Sequence, residues 1–195
     1  MADLIQKLKE TIHPSFILPS DKGSVRITED GAKATNREYT IKTNLPHVAL
    51  CLEKNRTKGT TLHPAFPTLN SNCAGICSVA DSIVVCRDGY DGRKQCAFII
   101  ELKSGNSGKA LQQIRSSKAF VGWVMELLSI HYGFQRDLRC FGLIVTARKI
   151  PLKGTSRPEK LRFAKNGKGS DLVEFAEWDH GTPLNLSQML EAALG

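Results

Sequence analysis

Two acidic residues stand in runs where apolar side chains would be expected. Asp81 lies in Val79-Ala80-Asp81-Ser82-Ile83-Val84-Val85, and Glu101 lies in Phe98-Ile99-Ile100-Glu101-Leu102-Lys103. Both runs have the β-branched, apolar character of strands, where an ionised carboxylate is costly unless something compensates it. A hairpin turning near Asp91 would set Asp81 opposite Glu101, with Cβ atoms about 5 Å apart. Lys103 would share the face of Glu101, because side chains two apart on a strand point the same way. Two carboxylates at that separation repel each other unless a cation sits between them. Oxygen ligands with open positions suit Mg²⁺, with Mn²⁺ as the alternative; both keep waters and accept substrate phosphate. An ammonium group beside them can stabilise an attacking water or hydroxide and the charge growing on a phosphorane-like transition state. That chemistry is metal-assisted hydrolysis of a phosphodiester.

The elements that must position these residues can be read from periodicity. Residues 3–12 carry apolar side chains at amphipathic-helix spacing. Residues 24–28 and 37–43 alternate around Asp30-Gly31 as a hairpin would. Leu45-Pro46 opens a short predicted helix through Glu53, and 55–73, rich in Thr, Pro, Asn and Gly, is predicted to be a loop. Strands are expected over 76–86 and 96–103. A break at 104–108 then supplies capping residues for a long helix to about residue 130, with Leu111, Ile114, Val121, Met125 and Leu128 on one side. Residues 139–149 read as a further strand, 161–165 and 172–178 as a second hairpin, and 187–194 as a closing helix.

This pattern resembles the PD-(D/E)xK nuclease superfamily, whose signature is an acid on one strand, Glu-x-Lys on the next, and then a helix. Here it reads Asp81, Glu101-Leu102-Lys103 and the helix beyond. The Pro that usually precedes the acid is Ala80. RecB-like members add a Gln in the helix; Gln113-Ile114 fits, with Gln112 as competitor, and the Tyr found four residues later in that branch is Ser117 here. The resemblance covers about residues 75–149. It implies an α/β fold with a restriction-endonuclease-like αβββαβ core, a central mixed sheet flanked by helices. It also implies Asp81, Glu101 and the Leu102 carbonyl as ligands to Mg²⁺, Lys103 as the residue that positions and activates water, and Gln113 as its orienting partner. Some members use a further Glu from the preceding helix, for which Glu10 and Glu53 are candidates.

The whole chain of 195 residues is expected to form one nuclease domain, with 1–74 as an N-terminal elaboration, 75–149 as the catalytic core, and 150–195 as a basic loop followed by a hairpin and helix. A formal charge of +8 favours an anionic partner. The charge is concentrated at 148–168, which holds Arg148, Lys149, Lys153, Arg157, Lys160, Arg162, Lys165 and Lys168 against Glu159 alone. Such a stretch could lie along a phosphate backbone or be a solvated loop. Lys109, Arg115 and Lys118 on the long helix are further candidates for phosphate contact, or else its wet face. The expected partner is nucleic acid, DNA ahead of RNA, with a homodimer by analogy to relatives of this size.

No apolar run approaches a membrane span, and the start lacks the apolar stretch of a signal peptide, so a cytoplasmic location is expected. The six cysteines offer no second pair at zinc-ligand spacing after Cys73 and Cys77, and read as reduced thiols. His63 is a loop residue that could ligate metal or simply be hydrogen-bonded. Trp123 and Trp178 read as core or interface, and no Gly-x-Ser-x-Gly context supports serine catalysis. The function that follows is a metal-dependent nuclease, most simply a DNA endonuclease. The alternatives are an RNA-cleaving enzyme of the same fold and a non-catalytic basic nucleic-acid-binding module.

Overall fold

Asp3 starts the first helix, α1 (Leu4–Thr11), because its carboxylate accepts the Ile5 N–H at 3.0 Å. Leu4, Ile5 and Leu8 share one face and are buried. These positions come from a computed structural model that describes residues 3–29, 38–53, 62–63, 65–70, 73, 75–89, 94–103, 109–136, 138–146, 160–167 and 172–194. The strands before the acidic hairpin are β1 (Ile17–Leu18), β2 (Ser20–Asp21), β3 (Ser24–Thr28), β4 (Glu38–Lys42), β5 (His47–Leu50), β6 (Leu62–His63) and β7 (Phe66–Asn70). Then follow β8 (Ser82–Arg87), β9 (Gln95–Lys103), α2 (Ala110–Tyr132), β10 (Arg139–Thr146), β11 (Ala164–Asn166), β12 (Val173–Asp179), β13 (Leu184–Asn185) and α3 (Leu186–Leu194).

The architecture is α/β around a central mixed sheet in the order β1-β5-β8-β9-β10-β12-β11. β9, β10 and β12 run parallel, while β5, β8 and β9 alternate antiparallel. Ile83, Val85, Ile99 and Ile144 face the layer made by α1 and α2, meeting Leu8, Ile114, Met125 and Leu128. Val84, Phe98, Ile100 and Phe141 face the opposite layer, meeting Val25, Ile27 and Ile41 of the small sheet β13-β4-β3-β2 and Leu186 and Met189 of α3. Gly142 brings helix and sheet close together: a Cβ there would meet Ile114 Cδ1 at 2.9 Å and Phe175 Cβ at 3.1 Å. α2 stops at Gly133, whose φ of +71° is left-handed backbone that favours glycine.

Three expectations are corrected. The helix predicted over 45–53 is the strand β5, paired with both β1 and β8. Val48, Ala49 and Leu50 are all buried, so the run has no wet face to reveal a strand period. The predicted loop at 55–73 contains the β6–β7 hairpin, with 54–61, 64, 71, 72 and 74 outside the described residues. The strand predicted over 76–86 begins only at Ser82; Gly75, Ile76 and Cys77 form a turn in which Gly75 has φ +80°. The break at 104–108 and the turn at Asp30-Gly31 lie outside the described residues. Trp178 is core and Trp123 is exposed.

Candidate active site

The register of the central hairpin decides where the acids go. Ser82 pairs with Ile100, Ile83 with Ile99 and Val84 with Phe98, so Asp81, one residue before β8, falls opposite Glu101. Asp81 Oδ2 accepts the Leu102 N–H at 2.7 Å. Glu101 is 1% exposed, on the strand face that carries Ala97 and Ile99 towards α2. One of its oxygens, Oε1, accepts a short hydrogen bond from Lys103 Nζ; the other, Oε2, is buried with no hydrogen-bond partner among the described residues.

Helix α2 completes the arrangement. Gln113 Oε1 accepts from Lys103 Nζ at 2.9 Å, and Gln113 Nε2 donates to the Val79 carbonyl at 3.1 Å. One turn further along, the buried Ser117 Oγ accepts the Ala80 N–H at 2.9 Å. Gln112, the competitor of Gln113, is exposed and lies against Gly75, where a Cβ would come within 2.9 Å of its Nε2.

Ala80 and Ser117, the two departures from the family signature, thus meet in one hydrogen bond. A proline at 80 would have no N–H to give. The bond also changes the edge of the sheet. Ala80 would be the next ladder partner of Leu102, and its N–H is turned to the helix instead. N–H and C=O of one strand residue lie on the same strand edge, so the Leu102 carbonyl faces the side from which Asp81 binds the Leu102 N–H.

The electrostatics follow from this packing. Burial pushes the Asp81 carboxyl up to about 8, and the neighbouring Glu101 charge adds to the shift; the Leu102 N–H opposes it. Burial likewise raises Glu101, to about 7, against the pull of the Lys103 ammonium. The pair therefore retains a proton near neutral pH unless positive charge arrives. A third carboxylate was missed by sequence reasoning. Glu29, just after β3, is raised by burial and eased by Lys103, and its charge is felt at both Asp81 and Glu101. The available signal was the inward alternation Val25, Ile27, Glu29, in which an acid takes the place of an apolar residue. Glu10 instead pairs with Lys7 on the surface, and Glu53 lies in a turn 3.7 Å from His63 Nε2.

Asp81 and Glu101 are the described side chains that could hold a divalent cation between them. The donor set fits one: two facing carboxylates, one oxygen without a partner among the described residues, and a nearby strand edge that presents a carbonyl. Among the described residues, no group of three or more His, Cys, Asp or Glu side chains converges closely enough to hold a metal ion.

The expected phosphate contacts divide. Lys109 is exposed at the start of α2, and Arg115 is exposed with Nη2 3.5 Å from Asn166 Oδ1. Lys118 is half-buried: its ammonium donates to the Leu172 carbonyl at 2.7 Å and ties α2 to the chain entering β12. Of the basic stretch, Lys160, Arg162 and Lys165 are exposed beside β11, whereas Arg148, Lys149, Lys153, Arg157 and Lys168 lie outside the described residues. All six cysteines are free thiols. No described helix is long and apolar enough to cross a membrane. No protein-family model, curated protein or solved structure matches the chain.

Proposed function

We propose that this chain is a Mg²⁺-dependent nuclease that hydrolyses phosphodiester bonds, with DNA as substrate and internal bonds as the point of attack. The observation that carries the reading is the continuous set Asp81–Leu102–Glu101–Lys103–Gln113, in which a half-buried and a buried carboxylate face each other and adjoin an ammonium held from a helix. The order α1, β5, β8, β9, α2, β10 supports it further, since it follows the αβββαβ sequence of a restriction-endonuclease-like core, with β9 and β10 parallel.

Mg²⁺, with Mn²⁺ as substitute, would be held by Asp81, Glu101 and the Leu102 carbonyl, and when bound supplies charge that offsets the developing phosphorane. Asp81 and Glu101 then remain ionised. Lys103 directs its ammonium at the attacking water and at the non-bridging oxygens. Gln113 keeps Lys103 on that line by holding its Nζ while anchored to Val79. Lys109, Arg115 and the exposed bases near β11 grip backbone phosphates. A homodimer would present one such centre to each strand of a duplex.

Incubation of the purified chain with circular and linear DNA and Mg²⁺, beside Lys103→Ala, tests the reading. Nicked or linear products that require Mg²⁺ and vanish in the variant are expected. Cutting confined to a matched RNA would move the substrate to RNA. Binding without any Mg²⁺-dependent product would leave a non-catalytic module.

A further inference from the structure

Helix α2 is apolar on more than its buried side. Among the large apolar side chains exposed in the described residues, Trp123 is 57% exposed and Ile130 61%. Both lie on a stripe with Gln112, Ser116, Ala119 and Glu126, at alternating steps of four and three residues, on the side of α2 turned away from Ile114, Val121 and Leu128. A helix resting on a sheet ordinarily keeps its charged groups there. From residue 116 to residue 130 this stripe carries Glu126 alone, and that carboxylate is 3.1 Å from Arg136 Nη1. Gly122, beside the stripe, is a second departure. It is exposed, its φ is not positive, and a Cβ there would meet nothing within 4 Å. Glycine weakens a helix interior relative to alanine, and no contact among the described residues requires it here. A backbone approaching closely from outside would.

The chain carries a formal +8, so two copies repel each other unless they meet where the charge is balanced. The outward face of α2 is balanced, with exposed Arg115 and Glu126 as its charges. They are separated by about three turns and so lie on one flank. An antiparallel two-fold pairing centred at the level of Val121 superposes them, because Arg115 stands about 9 Å to one side of that level and Glu126 about 8 Å to the other. We infer that this face of α2 docks on the same face of a second copy, antiparallel, about that two-fold axis. Each Trp123 then covers Ala119 of the other copy, and Ala119 and Gly122 let the two backbones approach. Arg115 faces Glu126 of the other copy from the rim, where its five donors leave room for a phosphate as well. A face without net charge is ill-matched to nucleic acid. The contact is about 27 Å long and one helix, about 10 Å, wide. That is well short of the ~800 Å² per partner of a standing complex, so the dimer dissociates on dilution. The pairing stands apart from the nuclease centre, since it uses none of Asp81, Glu101, Lys103 or Gln113.

Sedimentation velocity across a dilution series tests it on the wild-type chain, Trp123→Glu, Gly122→Leu, Arg115→Glu, Glu126→Arg and the double variant that exchanges both charges. The wild type should pass from monomer to dimer as concentration rises, and Trp123→Glu should stay monomeric. Each single reversal sets like charges together twice per dimer and should weaken it about tenfold. The double variant should recover most of that loss. Gly122→Leu separates an interface from a role in the fold: the dilute monomer should melt higher than wild type, while the dimer is lost. A wild type that is monomeric throughout would overturn the inference. A shift of its indole emission on adding phosphatidylcholine vesicles would then show that a membrane covers the face instead. Dimerisation unchanged in Trp123→Glu would overturn it by placing the interface elsewhere. Single reversals without effect, or a double variant no better than either, would refute the antiparallel pairing. A lower melting temperature of the dilute Gly122→Leu monomer would refute the close approach at Gly122. If Trp123→Glu does not fold, Trp123→Ala decides: a weaker dimer is expected, and an unchanged one sinks the idea.

Discussion

The hairpin of β8 and β9 carries a pair of like side chains at each end, and the two ends solve different problems. Near its turn, Cys86 faces Cys96 across the sheet, both wholly buried against the α3 side. A hydrogen bond with Cys86, together with burial, holds the Cys96 thiol well above the ordinary range, so that thiol stays neutral. At the open end, Asp81 faces Glu101 in the same register but on the opposite face. This pair does not rest as it is. The Leu102 N–H, the Lys103 ammonium and Gln113 are all drawn around it. One strand pairing can thus hold either a silent core contact or the cation centre proposed here. Which one it holds depends on whether the paired groups can lose their charge without help.

Breaking the charged end should give the largest effects. Lys103→Ala should lower Mg²⁺-dependent cleavage by about 10²–10³-fold, the scale of removing one group aimed at developing charge. Cys96→Ala should leave cleavage within about twofold and cost about 1 kcal/mol of stability in a denaturant melt, a small core cavity. A comparable loss of activity in the cysteine variant would erase the distinction between the two ends. Gln113→Ala, which releases Lys103 without removing it, should cost about tenfold in cleavage rate, with Mg²⁺ affinity nearly unchanged.

The two ends should also differ in their response to pH. The folded Asp81 and Glu101 carboxyls lie above their unfolded values, so between about pH 4 and 8 the folded state binds more protons than the unfolded one. Without cation, stability should therefore fall as pH rises through that window, by about 1–2 kcal/mol. Mg²⁺ should cancel the decline, and Asp81→Asn should flatten it. Melts at pH 5 and 8, with and without Mg²⁺, check the sign. Cys96→Ala should leave the slope as it is. The smallest effect concerns Ser117. Ser117→Ala orphans the Ala80 N–H and should cost about 1–2 kcal/mol. In an Ala80→Pro background, which has no such donor, the same change should cost less.

The legibility of this molecule in its sequence followed the number of wet faces each element has. The acidic hairpin was readable because its turn is rich in Gly and Asp and its acids interrupt otherwise apolar runs, and the pairing expected from a turn near Asp91 is the pairing found. α2 was readable because Ile114, Val121, Met125 and Leu128 recur on one side and Lys109 and Arg115 stay outside. β5 was not, since it is buried on both faces. The start of β8 was misplaced because Cys77, Val79 and Ala80 are buried yet unpaired with the sheet; the backbone at 79 and 80 bonds to α2 side chains instead. Glu29 escaped notice for another reason. Nothing in the local sequence links it to Glu101; the link is electrostatic, across the fold.

Gln113 and Ser117 stand one turn apart on a single rigid rod, and between them they hold the carbonyl of Val79, the amide of Ala80 and the ammonium of Lys103. Spacing at the acidic corner is thereby measured along a helix axis, about 6 Å for four residues. A strand terminus, the part of a sheet most given to fraying, does not set it. Strand ends elsewhere can breathe or twist without carrying the acid away from the lysine.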